Sequence, residues 1–87
     1  MDPIKLAVVT GDKTVLETRA ESVSLPTGFG SLGVLKGHAP MLCAVEEGIL
    51  RCRGSEGSVR VRISPGLVSV EHNEVTVLVS DAQVLED

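Results

Sequence analysis

Between Ile49 and Ile63 apolar and polar side chains alternate so regularly that only extended chain accommodates them. Successive side chains of a strand point to opposite faces of a sheet, and the pattern therefore sorts this segment into two faces. Gly54-Ser55-Glu56-Gly57 divides the run, and its glycines permit the reversal that closes a hairpin. With that turn, Arg53 faces Ser58, Cys52 faces Val59, Arg51 faces Arg60, Leu50 faces Val61 and Ile49 faces Arg62. One face is then Leu50, Cys52, Val59, Val61 and Ile63. The other carries Arg51, Arg53, Arg60 and Arg62, half of the 8 basic residues in a chain whose net charge is −4. Like charges directly opposite one another are unfavourable by roughly a few tenths of a kcal/mol in water. An acidic neighbouring strand or partner would be favourable there. A solvated outer face is the simpler reading, because surface charge also protects sheets from aggregation.

Short alternating runs broken by turn signals recur along the rest of the chain, the pattern of an all-β sandwich or barrel. No window sustains a helical period. Ile4, Leu6 and Val8 share one face of a first strand. Thr10-Gly11-Asp12-Lys13 turns it into Thr14–Arg19 as a hairpin partner. Glu21–Leu25 alternates again, and Pro26, which cannot donate to a ladder, is expected to end that strand. Pro65-Gly66 implies a bulge, an edge or a sharp bend between sheets. A last hairpin turns at His72-Asn73, where Asn73 tolerates the left-handed region, into Val75–Val79. Asp81–Asp87 is too short for a stable helix of its own and is expected to be a partly ordered tail.

The stretch Leu25–Leu42 holds four glycines and two prolines among apolar residues. It predicts a sharp turn, a short flat strand and a second turn; Pro40 biases Ala39 toward extended geometry. It contains no acid-base pair, no nucleophile beside a base, and no phosphate-loop lysine followed by a hydroxyl. It reads as shape offered to a partner.

Composition narrows the function. Eighty-seven residues make a single domain. A negative net charge and a single aromatic residue argue against nucleic acid, whose binders need a basic field and aromatic faces for stacking. No apolar run approaches the ~20 residues that span a bilayer, and Met1-Asp2-Pro3 does not begin a secretory signal. Cys43 and Cys52 permit one disulfide or none, and in a reducing cytosol each counts as a small buried hydrophobe. His38, His72, Cys43 and Cys52 have no close paired spacing of the kind that metal sites use. A thiol enzyme using Cys43 or Cys52 with His38 would require a basic environment and a third orienting group that no spacing supplies. A free-standing carbohydrate- or peptide-binding sandwich is weakened by the lack of Trp and Tyr.

Leu32-Gly33-Val34-Leu35 and Gly37-His38-Ala39-Pro40-Met41-Leu42 resemble the signature of the epsilon subunit of F-type ATP synthases, in its N-terminal β-sandwich domain. Glu47-Gly48-Ile49-Leu50-Arg51, Ser64-Pro65-Gly66-Leu67-Val68-Ser69-Val70 and Asn73-Glu74-Val75-Thr76-Val77-Leu78-Val79 are similar to the family's later strands, in order and at matching spacing. The resemblance implies two packed sheets of about five strands each, no catalysis and no cofactor. It implies a peripheral place on the cytoplasmic side of the membrane, at the foot of the central stalk. There the domain joins the gamma subunit to the ring of c subunits of a proton-translocating synthase. Thr27, Gly28, Phe29, Gly30, Ser31 and Leu32 would face the c ring. His38, Ala39, Pro40, Met41, Leu42 and Cys43 would lie toward gamma, with His38 as a hydrogen-bonding loop residue.

The chain departs from the family pattern at several positions. Phe29 and Ser31 flank Gly30 where acidic residues are common, so a more apolar c-ring contact is expected, with Phe29 exposed and buried only on assembly. Lys36 stands where proline is frequent, and Pro65 where a glycine often precedes Gly66. The sequence stops at Asp87, where the family's C-terminal helices would begin. The regulatory and nucleotide-binding properties of those helices are therefore not expected of these residues.

Overall fold

The computed structural model describes residues 3–55 and 57–85. Ten strands lie within them: β1 Ile4–Thr10, β2 Lys13–Ala20, β3 Ser22–Thr27, β4 Gly30–Leu35, β5 Met41–Val45, β6 Gly48–Gly54, β7 Gly57–Ile63, β8 Gly66–Glu71, β9 Glu74–Val79 and β10 Ala82–Leu85. They form two five-stranded sheets, ordered β2-β1-β9-β8-β5 and β10-β7-β6-β3-β4. Of the sandwich and the barrel that the alternation allows, the small all-β sandwich is the observed architecture.

The period-two pattern sets the core. From the first sheet Ile4, Leu6, Val8, Val68, Val70 and Val77 point inward, and from the second Val23, Leu25, Val34, Leu50, Val61 and Ile63; all are buried. The prevalence of valine and isoleucine suits both jobs. Branching at Cβ favours extended chain, and each full burial stabilises by about 1.5–3 kcal/mol. The β6–β7 register is the one expected, from Ile49 opposite Arg62 to Arg53 opposite Ser58. Glu56, between them in sequence, lies outside the described residues. Cys52 is buried, whereas Cys43 is only half-buried; both are free thiols.

Local turn chemistry explains the hairpins. Gly11 closes β1–β2 at φ 58°, and His72 and Asn73 close β8–β9 at φ 52° and 61°. Two successive left-handed residues give the turn whose twist matches that of the strands. The carbonyl of Asn73 also accepts the Lys5 N–H at 2.8 Å, at the start of the parallel β1–β9 ladder, in which Lys5 lies opposite Glu74. A bulge, not foreseen from the sequence, shifts the β1–β2 register: Val8 pairs with Leu16 but Val9 with Thr14.

Two expectations are corrected. Pro26 does not end its strand: β3 continues to Thr27, with Pro26 opposite Ser31. The ladder to β6 covers only Ser22 to Ser24. Beyond it β3 has a strand on one side alone, so a missing N–H is tolerated there, while the Pro26 carbonyl accepts the Glu46 N–H at 2.9 Å. The tail is the second case. Ala82–Leu85 pairs antiparallel with β7 as the edge of the second sheet. Ser64 anchors it: its N–H donates to the Asp81 carbonyl at 3.0 Å, and its Oγ accepts the Asp81 N–H at 2.9 Å. Glu86 and Asp87 lie outside the described residues. Of the three readings of Pro65-Gly66, the bend between sheets is the observed one, since β7 belongs to the second sheet and β8 to the first.

Candidate docking surfaces

The Leu25–Leu42 stretch builds a stiff hairpin. Thr27 lies opposite Gly30, leaving Gly28 and Phe29 as a two-residue tip. The Thr27 hydroxyl donates to the Gly30 carbonyl at 2.7 Å and accepts the Phe29 N–H at 3.2 Å. Gly30 has φ 109°, a conformation that a side chain would strain. Held this way, Phe29 projects into solvent with 103% of its reference surface exposed. Gly28, Gly30 and Ser31 are also exposed and Thr27 is half-buried. The Ser31 hydroxyl hydrogen-bonds that of Ser24 at 2.7 Å. Leu32 packs against the core and so supports the hairpin from beneath. An aromatic ring fixed in water at a braced tip gains free energy only when something covers it.

The second expected segment begins at the other end of β4. Gly37, at φ 80°, donates its N–H to Asn73 Oδ1 at 2.8 Å, and the His38 N–H donates to the Leu35 carbonyl at 3.1 Å. His38 Nδ1 lies 2.7 Å from the Ala39 carbonyl; a carbonyl only accepts, so the ring proton sits on Nδ1. Lys36 pairs with Glu21 at 3.0 Å. Ala39 and Pro40 are exposed, and His38 is half-buried. Along β5, Met41 and Cys43 pack against the core, while Leu42 points outward, 73% exposed.

Leu42 has neighbours that sequence reading did not bring together. Ala44 pairs with Leu67, Leu67 with Leu78, and Leu78 with Val9. These four form an apolar row across four strands on the outer face of the first sheet. Leu67 and Leu78 are each 48% exposed. The row itself depends on three registers.

The two thiols lie apart. Cys43 lies in the first sheet and Cys52 in the second, and burial raises the Cys52 thiol above its usual 9.0, away from the thiolate that a nucleophile needs. Among the described residues no group of three or more His, Cys, Asp and Glu side chains is placed to hold a metal ion, and no helix is long and apolar enough to cross a membrane.

The fold that these residues build is a two-sheet β-sandwich that holds apolar side chains such as Phe29 and Leu42 out in solvent. Residues 3–84 match the family described as ATP synthase, Delta/Epsilon chain, beta-sandwich domain, and the chain is a member of that family. It is 42% identical over 80 residues to the ATP synthase epsilon chain of a Cyanothece species, covering 92% of this chain and 58% of that one. The chloroplastic epsilon chain of Guillardia theta is 38% identical, with 92% and 61% covered. The chain thus spans about three-fifths of the length of these curated relatives. Among solved structures, a chain of the Euglena gracilis mitochondrial ATP synthase (OSCP/F1/c-ring) superposes with a TM-score of 0.88 at 24% identity, covering 97% of this chain and 54% of that one. One from the Tetrahymena thermophila central stalk and c ring gives 0.75 at 19%, covering 94% and 66%. At these identities the superpositions speak to the fold.

Proposed function

We propose that this sandwich is the rotor joint of a proton-translocating F-type ATP synthase: a non-catalytic, peripheral part of the central stalk on the cytoplasmic side of the membrane, coupling the gamma subunit to the c ring. The observation that carries the reading is Phe29, an aromatic ring fully in solvent on a hairpin braced by Thr27. In this reading Thr27–Leu32 meets the c ring, with Phe29 replacing a charged contact by an apolar one. His38–Cys43 meets gamma, through exposed Ala39, Pro40 and Leu42, and the apolar row of Leu67 and Leu78 extends that contact. Torque passes through a joint without loss only if the joint is stiff. Backbone already fixed by Thr27, Asn73 and Pro40 loses little conformational freedom on docking.

The test uses the purified chain with gamma and with c rings from one source. Co-elution with gamma at micromolar concentration is expected. Phe29→Glu should leave the gamma complex intact and weaken c-ring binding by about 30-fold, the scale of losing a buried aromatic anchor. Leu78→Glu should do the reverse. Failure of the parent chain to bind either partner overturns the proposal in favour of a free-standing binding module.

A further inference from the structure

The outer face of the second sheet is chemically unlike any other part of the molecule. Its five strands contain no Asp, Glu or Lys, and their only charged residues are Arg51, Arg53, Arg60 and Arg62. The strands of the first sheet mix both signs, with Lys5, Glu17, Arg19, Glu71 and Glu74 among them. The whole chain carries 12 acidic residues, so this face is a cationic island on an acidic protein.

Register packs the island tightly. Arg51 lies directly opposite Arg60, and Arg62 opposite Ile49. Strands are about 4.8 Å apart and alternate residues about 7 Å apart along a strand, so the four side chains arise from one small patch. Arg51, Arg53 and Arg62 are exposed, and among the described residues no carboxylate pairs with any of these three. Beside them runs a floor of short side chains. Ser22 lies opposite Arg53 and Ser24 opposite Arg51, while Gly33 lies opposite Ser24 with open space where its Cβ would stand. Leu35, 64% exposed and opposite Ser22, forms the far wall. The result is a shallow trough with guanidinium groups along one side and an apolar side chain on the other.

We infer that this trough docks an acidic polypeptide segment of a partner protein, its carboxylates on Arg51, Arg53 and Arg62 and an apolar side chain against Leu35. All four cations are arginine, whose planar fork takes a carboxylate through two parallel hydrogen bonds. Charge complementarity is local. The acidic remainder of the surface repels extended anionic surfaces such as membranes and nucleic acid, but a narrow segment can lie on the island without meeting it. The face also lacks an aromatic side chain on which a base could stack. It is separate from the Phe29 tip and from the Leu67–Leu78 row, so the inference does not depend on the rotor reading.

The test titrates the full 87-residue chain into a labelled glutamate-rich peptide containing one leucine, about ten residues long and so able to cross the face when extended. Anisotropy is read at about 50 mM and about 200 mM salt. Saturable binding that weakens with salt is expected. Arg51→Glu with Arg62→Glu should weaken it about tenfold or more, with an unchanged far-ultraviolet spectrum, while Phe29→Glu should leave it unchanged. Phosphatidylserine vesicles and a single-stranded oligonucleotide of equal charge should not compete. No peptide binding by the parent, undiminished binding by the double variant, or tighter binding of vesicles or oligonucleotide would each overturn the inference.

Discussion

Gly66→Ala isolates the bend at which the chain passes from one sheet to the other. Gly66 lies opposite Val79 on one side and Val45 on the other, held between two ladders. A Cβ built there would lie 2.1 Å from the Leu78 carbonyl oxygen, 2.8 Å from Val79 Cγ1 and 3.0 Å from Val79 Cα. Two of these three atoms belong to the backbone of β9, so no rotamer change can relieve the collision. The β8–β9 separation has to open by roughly 1 Å, and overpacking of this kind typically costs about 1–3 kcal/mol, rising when backbone must move. We therefore expect a loss of about 3 kcal/mol or more, a large part of the roughly 5–15 kcal/mol that stabilises a domain. In a domain of this size that corresponds to a fall in Tm of about 12–24 °C. The chain has no Trp or Tyr, so urea unfolding should be followed by far-ultraviolet circular dichroism. Gly33→Ala is the control, since its Cβ would meet nothing within 4 Å. A Gly66→Ala protein within about 0.5 kcal/mol of the parent, or level with the Gly33→Ala control, would refute the claim that close backbone approach fixes this glycine.

Two further outcomes follow from the same geometry. Asn73→Ala should cost about 2 kcal/mol, because it removes the acceptor for the Gly37 N–H and places alanine at φ 61°. Asn73→Gly restores the backbone freedom and should recover about half of that in the same urea assay; equal losses would show that strain plays no part. For Cys52, burial raises the folded-state pKa above 9.0, with a backbone hydrogen bond to Val59 opposing in part. The unfolded thiol ionises first, so stability should fall as pH climbs past about 9 and level off once the folded thiol also ionises. Unfolding curves across that window should show a smaller decline in Cys52→Val, and a thiol reagent at neutral pH should label Cys52 only on unfolding. Full labelling of Cys52 in the native protein would contradict this.

The local part of the fold was legible because it is written in nearest-neighbour terms. Alternation through Leu50, Cys52, Val59, Val61 and Ile63 fixed which side chains face inward, and Gly11 and Asn73 marked the turns. The exposure of Phe29 was expected from the resemblance, because acidic residues commonly flank this glycine in the family; the two-residue tip of Gly28 and Phe29 is what leaves the ring uncovered. What the alternation leaves open is which strand lies beside which. The parallel pairing of β1 with β9 joins residues about 70 positions apart, at a loop-closure cost that no local pattern reports.

Features that depend on that long-range pairing were accordingly missed. Pro26 was expected to stop a strand, yet a proline is harmless wherever the neighbouring ladder has already ended. Asp81–Asp87 reads as a partly ordered tail because it is too short to hold a helix; the free edge of β7 makes a strand of Ala82–Leu85. Leu67, Leu78 and Val9 were given no part in the sequence reading and became one apolar row only when three registers aligned them. Inward or outward was thus settled residue by residue in the chain. The side-by-side position of distant segments, and with it the apolar row and the trough beside the arginines, was set by hydrogen-bond ladders such as β1–β9, β5–β8 and β3–β6, which no local pattern reports.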